Sequence, residues 1–417
     1  MFSKIKGTQD FLDLRLYNFI VDSLKKHLAS YHFSEIATPI LEPTDLFKRS
    51  LGLQTDVVTK EMFTINTGPE GEGICLRPEA TASVVRAFVE NSIQDIPWKV
   101  FLVGPMFRHE RPQKGRYRQF HQVSMEIIGS ASVAQDVQFI KMLDRYFHEK
   151  LGMNAYALQL NFLGCPEDRA AFKLILHDFL QTDAAKNICN FCTARKEHNI
   201  LRIFDCKNPI CQEIYQKSPR LIDYLCKPCT VEWQQVKDQL HLLSVSFVYQ
   251  PNLVRGLDYY NKTVFEFTSN NLGAQNAFCG GGRYDSLVAQ VGGKHDQPSI
   301  GAAIGIERVM LLLESAKDQA LLPQAPALHV IIPMDAAQQM LALLLADELQ
   351  AIGLCIEVLL DGGSMKSMMR HANKLAAAYC LILGQDEQDT RTVTVKNMVT
   401  SASDRIPQVE LVNYLSK

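Results

Sequence analysis

The chain has 417 residues, 47% of them hydrophobic, with 43 basic against 45 acidic side chains and a formal charge of −2. That content suits two or three domains with sizeable cores and excludes disorder. So even a balance gives no general pull towards nucleic acid or membrane, and a polyanion must meet a local basic patch. No apolar run approaches the roughly 20 residues of a membrane span, and the opening MFSKIKGTQDFLD has no apolar leader core. A cytoplasmic protein without membrane contact is expected.

Residues 11–31 place apolar side chains at helical spacing and predict an amphipathic helix. FSEIATPILEP reads as a strand broken by Pro39 and Pro43, and ICLRPEATASVVRAFVE as a short strand turning into a helix. PWKVFLVGPMFRHE and YRQFHQVSMEIIG are two strands of a hairpin with RPQKGRY at its tip and Gly115 as the turn residue. From about 150 to 250 the chain changes to helical segments and a cysteine cluster. From 252 strands and glycine turns resume, ending in a helix within SIGAAIGIERVMLLLESA. LLPQAPA is a linker, and beyond it LHVIIPM, CIEVLLD, YCLILG and RTVTVKN alternate with helical stretches as a separate α/β domain. The expected division is 1–150 and 251–320 for two parts of one domain, 151–250 for an insertion, 321–327 for the linker and 328–417 for the last domain.

Three constellations stand out. The hairpin tip carries Arg108, Arg111, Lys114, Arg116 and Arg118 against Glu110 alone. A solvated loop would explain this, but Arg108 and Glu110 follow an apolar strand that aims both at one face, and guanidiniums fork phosphate oxygens. Gln122, Ser124 and Glu126 share a strand face, and with Glu79 and Thr81 they suggest a pocket wall; a hydrated sheet edge is the alternative. In NLVRGLDYYNKTVFEF, an apolar segment is interrupted by Arg255, Asp258, Asn261 and Lys262 with two tyrosines between them. Unpartnered burial of such charges costs several kcal/mol, so the stretch points to a ligand. Glycines 280–282, before Arg283 and Tyr284, allow close approach to backbone. Neither common phosphate-binding glycine motif is present.

These residues carry a resemblance that runs from GTQDF at residue 7 to VTVKN near 397. FLVGPMFRHERPQKGRYRQFHQ resembles motif 2 of the class II aminoacyl-tRNA synthetases, GAAIGIERVMLLLE resembles motif 3, and the region around Pro39 resembles the dimer-forming motif 1. LVRGLDYYNKTVFEF and GGGRYDSLV are similar to the two segments peculiar to histidyl-tRNA synthetases. The resemblance implies an α+β fold: a six- to seven-stranded antiparallel sheet with flanking helices that holds bent ATP, then an α/β anticodon-binding domain. It implies Arg108 on the α-phosphate, Arg308 on the γ-phosphate and adenine, and Glu110 and Arg116 around the adenine and remaining phosphates. Glu79, Thr81 and Gln122 would hold the α-amino group of histidine, Glu126 and Tyr260 would bracket its imidazole, and Tyr284 would belong to the same histidine pocket. Arg255 would neutralise the α-phosphate during attack. Mg²⁺ with ATP, tRNA(His) as partner and a homodimer are implied as well. Ala80 departs from the glycine usual beside Glu79. A histidine-sensing regulatory paralogue of a phosphoribosyltransferase, or an RNA-binding module without chemistry, are the rivals. Such paralogues lack the last domain and lose motif arginines, both of which this chain keeps.

Cys189-x-x-Cys192 and Cys226-x-x-Cys229 form two knuckles with 33 residues between them, and Cys206 and Cys211 lie in that interval. The expectation is one structural Zn²⁺ on Cys189, Cys192, Cys226 and Cys229, with Cys206 and Cys211 able to displace either knuckle, or six free buried cysteines instead. In the resembled family the insert reaches over the tRNA acceptor stem. Loss of an ion there should therefore weaken tRNA charging and spare amino-acid activation. Lys366, Arg370 and Lys374 recur at spacings of four and form either an RNA-facing stripe or a solvated face.

Overall fold

The computed structural model describes residues 2–66, 73–273, 276–315 and 326–415. The chain divides into two compact units, Met1–Leu322 and Pro323–Lys417. Residues 321–325 of the expected linker lie outside the described residues.

The first unit is built on an eight-stranded sheet. In spatial order its strands are Ser34–Glu35, Trp98–Phe107, Gln119–Ile128, Ser299–Gly305, Ala277–Arg283, Asn261–Thr268, Ala157–Phe162 and Val248–Tyr249. All neighbours run antiparallel except the two outermost pairs, which are parallel. The predicted hairpin pairs in register from Trp98 with Ile128 to Phe107 with Gln119. Alternation along Gln119–Ile128 separates two environments. Val123, Met125 and Ile127 enter a core roofed by the helices Arg15–Ala29, Val133–Arg145, Lys227–Leu242 and Ile306–Ser315. Gln122, Ser124 and Glu126 point to the opposite face, where the helix Thr81–Glu90 packs.

The first helix shows why this side holds together. Ile20, Val21, Leu24, His27 and Leu28 recur every three or four residues and are buried. Asp13 accepts the Arg15 N–H at 2.9 Å at its start, and the buried Tyr146 hydroxyl donates to the Ile20 carbonyl at 2.7 Å.

Three expectations need correction. Residues 252–260 form an irregular loop, and the strand begins only at Asn261. Their polar groups bond to other segments rather than to a ladder: Asp258 accepts from Asn199 and its N–H donates to Leu51, while the Gly256 carbonyl accepts from Arg202. Second, the insertion does not fill 151–250. Ala157–Phe162 and Val248–Tyr249 belong to the main sheet, so the inserted part is the helical stretch from Pro166 to Leu242. It has a small core of its own that includes Phe172, Leu176, Ile203 and Tyr215. Third, the sheet has eight strands rather than six or seven, because short parallel edge strands extend it.

The second unit is a five-stranded mixed sheet in the order Cys355–Val358, Leu328–Pro333, Tyr379–Leu383, Thr392–Asn397 and Ser403–Pro407. The four strands read from sequence are present, the first three parallel and the rest antiparallel. Ser403–Pro407 is an exposed polar edge that carries no apolar signal. Met368 and Ala372 bury one face of the helix Met365–Lys374, leaving Lys366, Arg370 and Lys374 exposed.

Candidate active site

One pocket in the first unit gathers residues from segments far apart in sequence: Glu79 and Thr81, Arg108, Glu110 and Arg116, Gln122 and Ser124, Arg255, Tyr259 and Tyr260, Glu266, and Glu307 and Arg308. Nearly every candidate residue therefore meets the others.

At one end Glu79 accepts the N–H groups of Thr81 and Ala82 at 2.7 and 2.8 Å, which fixes its carboxylate at the start of the Thr81–Glu90 helix. Ala80 lies at φ −102° with its methyl in a small core with Leu102 and Met106, so alanine leaves this cap intact. Behind Thr81 stands Glu126, wholly buried. It accepts the Thr81 hydroxyl at 2.7 Å and the Tyr284 hydroxyl at 2.5 Å. Burial pushes Glu126 up to about 8, against the pull of those two hydroxyls, and it pushes Glu79 up as well. Gly301 lies opposite Glu126 across the sheet, and a Cβ there would overlap the Glu126 carboxylate. Glu126 and Tyr284 thus sit one layer beneath the pocket wall, whereas Tyr260 lies in it.

At the other end three guanidiniums converge. Arg108 Nε donates to the Pro78 carbonyl at 2.9 Å, and its head lies over the Phe120 ring. Arg308 donates to the carbonyls of Gly115 at 2.9 Å and Ala277 at 2.5 Å. Burial first, then repulsion by Arg108 and Arg116, lowers Arg308 to about 10. Arg116 pairs with Glu110 and lies 3.9 Å from Glu61. Arg111 and Lys114, counted with the same basic tip, are exposed. A cluster of cations that depress one another marks a place prepared for anion charge.

Between the two ends Arg255 pairs with Glu266 and lies over the Tyr260 ring at 5.7 Å. Burial works against its charge, and Glu266 with the two tyrosines more than offsets it. Gly280 makes room for this side chain, since a Cβ there would come within 2.5 Å of the guanidinium. Three buried polar atoms at the pocket lack a partner among the described residues: Gln122 Oε1, Ser124 Oγ and Arg255 Nε. Buried polar groups normally find partners, so these three call for a ligand.

Sequence reasoning passed over Phe120, Glu266 and Glu307, which also line the pocket, and gave Tyr259 no role of its own. Glu307 accepts from the His121 backbone at 2.8 Å and meets its ring. An acid inside the apolar strand Asn261–Thr268 was a legible signal for Glu266. Arg283, beside Tyr284, is structural: it bonds the buried Asp136 at 2.8 and 2.7 Å and the Ser130 carbonyl at 2.8 Å.

The two cysteine knuckles do not converge, which corrects the predicted ligand set of Cys189, Cys192, Cys226 and Cys229. Cys189 and Cys192 join Cys206 and Cys211, while Cys226 and Cys229 join Cys165 and Asp168. The helix Lys227–Leu242 buries Cys229, Trp233 and Val236 in the main core, which draws the second knuckle away from the insert's own core. Each group brings its ligand atoms within 4.8 Å of one another, a spacing that can hold a metal ion.

Comparison with known proteins agrees with this geometry. The histidyl-tRNA synthetase family profile matches residues 12–309, and an anticodon-binding domain profile matches 329–417. The histidine–tRNA ligase of Nitratidesulfovibrio vulgaris is 42% identical over 97% of this chain and 96% of its own, and that of Solidesulfovibrio magneticus is 41% identical over 99% and 96%. The apo structure of S. aureus histidyl-tRNA synthetase superposes with a TM-score of 0.83 at 30% identity, covering 100% of both chains. The fold alone is shared with a B. halodurans protein described as an ATP phosphoribosyltransferase regulatory subunit/histidyl-tRNA synthetase, at 19% identity and TM-score 0.62, over 89% of this chain and 96% of that one. The chain belongs to the histidyl-tRNA synthetase family, within the class II aminoacyl-tRNA synthetases.

Proposed function

We propose that the pocket activates histidine with ATP and that the enzyme then transfers histidine to the 3′ end of tRNA(His), as a histidine–tRNA ligase. The observation that carries this reading is one pocket with the buried Glu79 carboxyl at one end and Glu126 directly behind it, a guanidinium cluster at the other end, and unpartnered polar atoms on its wall. Histidine brings an ammonium, an imidazole and a carboxylate, and ATP brings a polyphosphate.

Glu79, Thr81 and Gln122 hold the α-amino group in this scheme, and Glu126, with Tyr260 and Tyr284, fixes the imidazole. Arg108 takes the α-phosphate, Arg308 the γ-phosphate and adenine, and Glu110 with Arg116 the remaining contacts. The histidine carboxylate attacks the α-phosphorus and pyrophosphate leaves; a ribose hydroxyl of tRNA then attacks the acyl carbon and AMP leaves. Attack brings two anions together and builds charge on the phosphoryl oxygens, so a preorganised Arg255 stabilises the transition state more than the ground state. Mg²⁺ would accompany ATP and shield its phosphates; Glu61 and Glu110, both beside Arg116, are carboxylates at that end.

The regulatory-paralogue reading is not favoured, since Arg108, Arg255 and Arg308 are in place and residues 329–417 match an anticodon-binding domain. We place the enzyme in the cytoplasm as a homodimer, for which the exposed Ile40 and Leu41 beside Pro39 offer apolar surface. Among the described residues no helix is long and apolar enough to cross a membrane. Charging of a tRNA(His) transcript with labelled histidine tests the proposal. Charging that requires ATP and histidine supports it, and none with folded protein contradicts it.

A further inference from the structure

We propose that Cys189, Cys192, Cys206 and Cys211 bind one structural zinc ion, and that this ion holds residues 199–205 against the loop that carries Arg255. The four cysteines come from three short segments: Cys189 at the start of the helix Asn190–His198 with Cys192 inside it, Cys206 directly after the turn Ile200–Asp205, and Cys211 in the helix Pro209–Gln216. Their sulfurs all lie within 4.8 Å of one another, and Cys189 Sγ and Cys206 Sγ are 3.8 Å apart. A tetrahedral zinc with bonds of about 2.3 Å places its sulfurs about 3.8 Å apart.

Backbone donors are already aimed at the sulfurs. The Cys189 N–H donates to Cys211 Sγ at 3.2 Å, and the Asn208 N–H to Cys206 Sγ at 3.4 Å. Such donors favour thiolate, the form a metal requires. The buried Tyr215 hydroxyl lies beside Cys192, where a thiolate would accept a hydrogen bond from it. A soft all-sulfur set selects zinc over the hard cations that oxygen ligands hold. The second group has an explanation without an ion. Asp168 accepts the N–H groups of Cys226 at 2.9 Å and Cys165 at 3.2 Å, and Cys165 Sγ accepts from Asp168 N–H, so the group closes a helix cap.

What the ion would fix follows from chain order. Asn199 and Arg202 lie between the ligands Cys192 and Cys206. The Asn199 amide donates to both Asp258 oxygens at 2.9 Å, and Arg202 donates to the Gly256 carbonyl with its Nε 3.9 Å from Asp258. Residues 256 and 258 directly follow Arg255 in a loop with no ladder of its own. The insert therefore braces the activation arginine, contrary to the expectation that only tRNA charging depends on it. This part rests on the proposed role of Arg255, whereas the metal site does not.

The test uses the full chain purified without chelator. Elemental analysis should find one zinc lost in both Cys206→Ser and Cys211→Ser and kept in Cys226→Ser. Replacement by Co²⁺ in the unmutated protein should give the intense thiolate-to-metal absorption of a tetrahedral all-sulfur site. Removing the ion should speed amide exchange in residues 186–216 and also in 252–260, and re-adding zinc should reverse both. It should lower histidine-dependent pyrophosphate exchange at least tenfold. Absence of zinc, disulfides among these four cysteines, or zinc lost in Cys226→Ser but kept in Cys211→Ser would overturn the site. Zinc whose removal leaves 252–260 unchanged would overturn the brace. A bound zinc in a protein that activates no histidine would contradict the proposed function and leave the site standing.

Discussion

Tyr284 donates its hydroxyl to Glu126 at 2.5 Å while Thr81 donates to the other oxygen at 2.7 Å, so a wholly buried acid is held from two sides without a cation. Burial favours its neutral form in the ligand-free fold, and a cationic ligand would draw it into the charged one. Replacing Glu126 by Gln keeps the shape and removes the acid. The variant should raise the histidine KM or lower kcat by about 10² or more, with the ATP KM little changed, because a site built on polar partners discriminates by large factors. Steady-state pyrophosphate exchange at varied histidine reads this directly, and unchanged histidine kinetics would remove Glu126 from the imidazole site.

The same residue makes a stability prediction. Glu126 is raised from 4.5 to about 8 in the folded chain, so between those values the folded state holds a proton that the unfolded state has released. The contribution of Glu126 to the stability of the ligand-free protein therefore falls as pH rises through that window, by up to about 1.4 kcal/mol per pH unit. Glu79 is raised too and adds to the slope. In thermal unfolding from pH 5 to 8, Glu126→Gln should become progressively more stable relative to the unmutated protein. A gap that stays constant would show that Glu126 is ionised in the fold.

Arg255 makes its expected contribution in the transition state. Arg255→Ala should lower kcat for adenylate formation by about 10² or more, comparable to the loss of one preorganised oxyanion donor. Transfer from preformed adenylate should suffer less. Lys should rescue poorly, since one ammonium cannot replace a planar fork that pairs with Glu266 and, in the proposed role, also meets a phosphate. Equal loss in both steps with an intact fold would make Arg255 a general anchor.

Asp136 and Arg283 form an ion pair with both side chains almost fully buried. Asp136→Ala strands the guanidinium and should cost about 3–5 kcal/mol in chemical denaturation. The loss should appear in stability, with KM values near normal in whatever fraction folds. A cost below 1 kcal/mol would mean that Asp285, 3.0 Å from the same arginine, suffices alone.

Much of this was legible in the sequence, for physical reasons that differ by element. The hairpin around Gly115 announced itself by two alternating runs and a charged tip, and Gln122, Ser124 and Glu126 share the face that alternation assigned them. The four strands of the last domain were plain as apolar runs, while Ser403–Pro407 is short and mostly polar, with Ile406 alone packed on the core, and left no mark. Residues 252–260 misled because apolar residues with two tyrosines satisfy a strand pattern, yet Arg202 and Asn199, more than fifty positions away, hold them as a loop. The cysteine pairing failed for the same reason. Spacing pointed to two CxxC knuckles on one ion, but the core that Trp233 and Val236 join separates them. Tyr284 reaches Glu126 through register and the absence of a side chain at Gly301, neither of which a single sequence displays.

The central claim is amino-acid activation in the pocket, and ATP–pyrophosphate exchange measured with each of the twenty amino acids separately tests it most directly. Histidine alone should support exchange, and Arg255→Ala should abolish most of it without unfolding the chain. No exchange with histidine in folded, ATP-supplied protein, or equal exchange with another amino acid, would contradict the account.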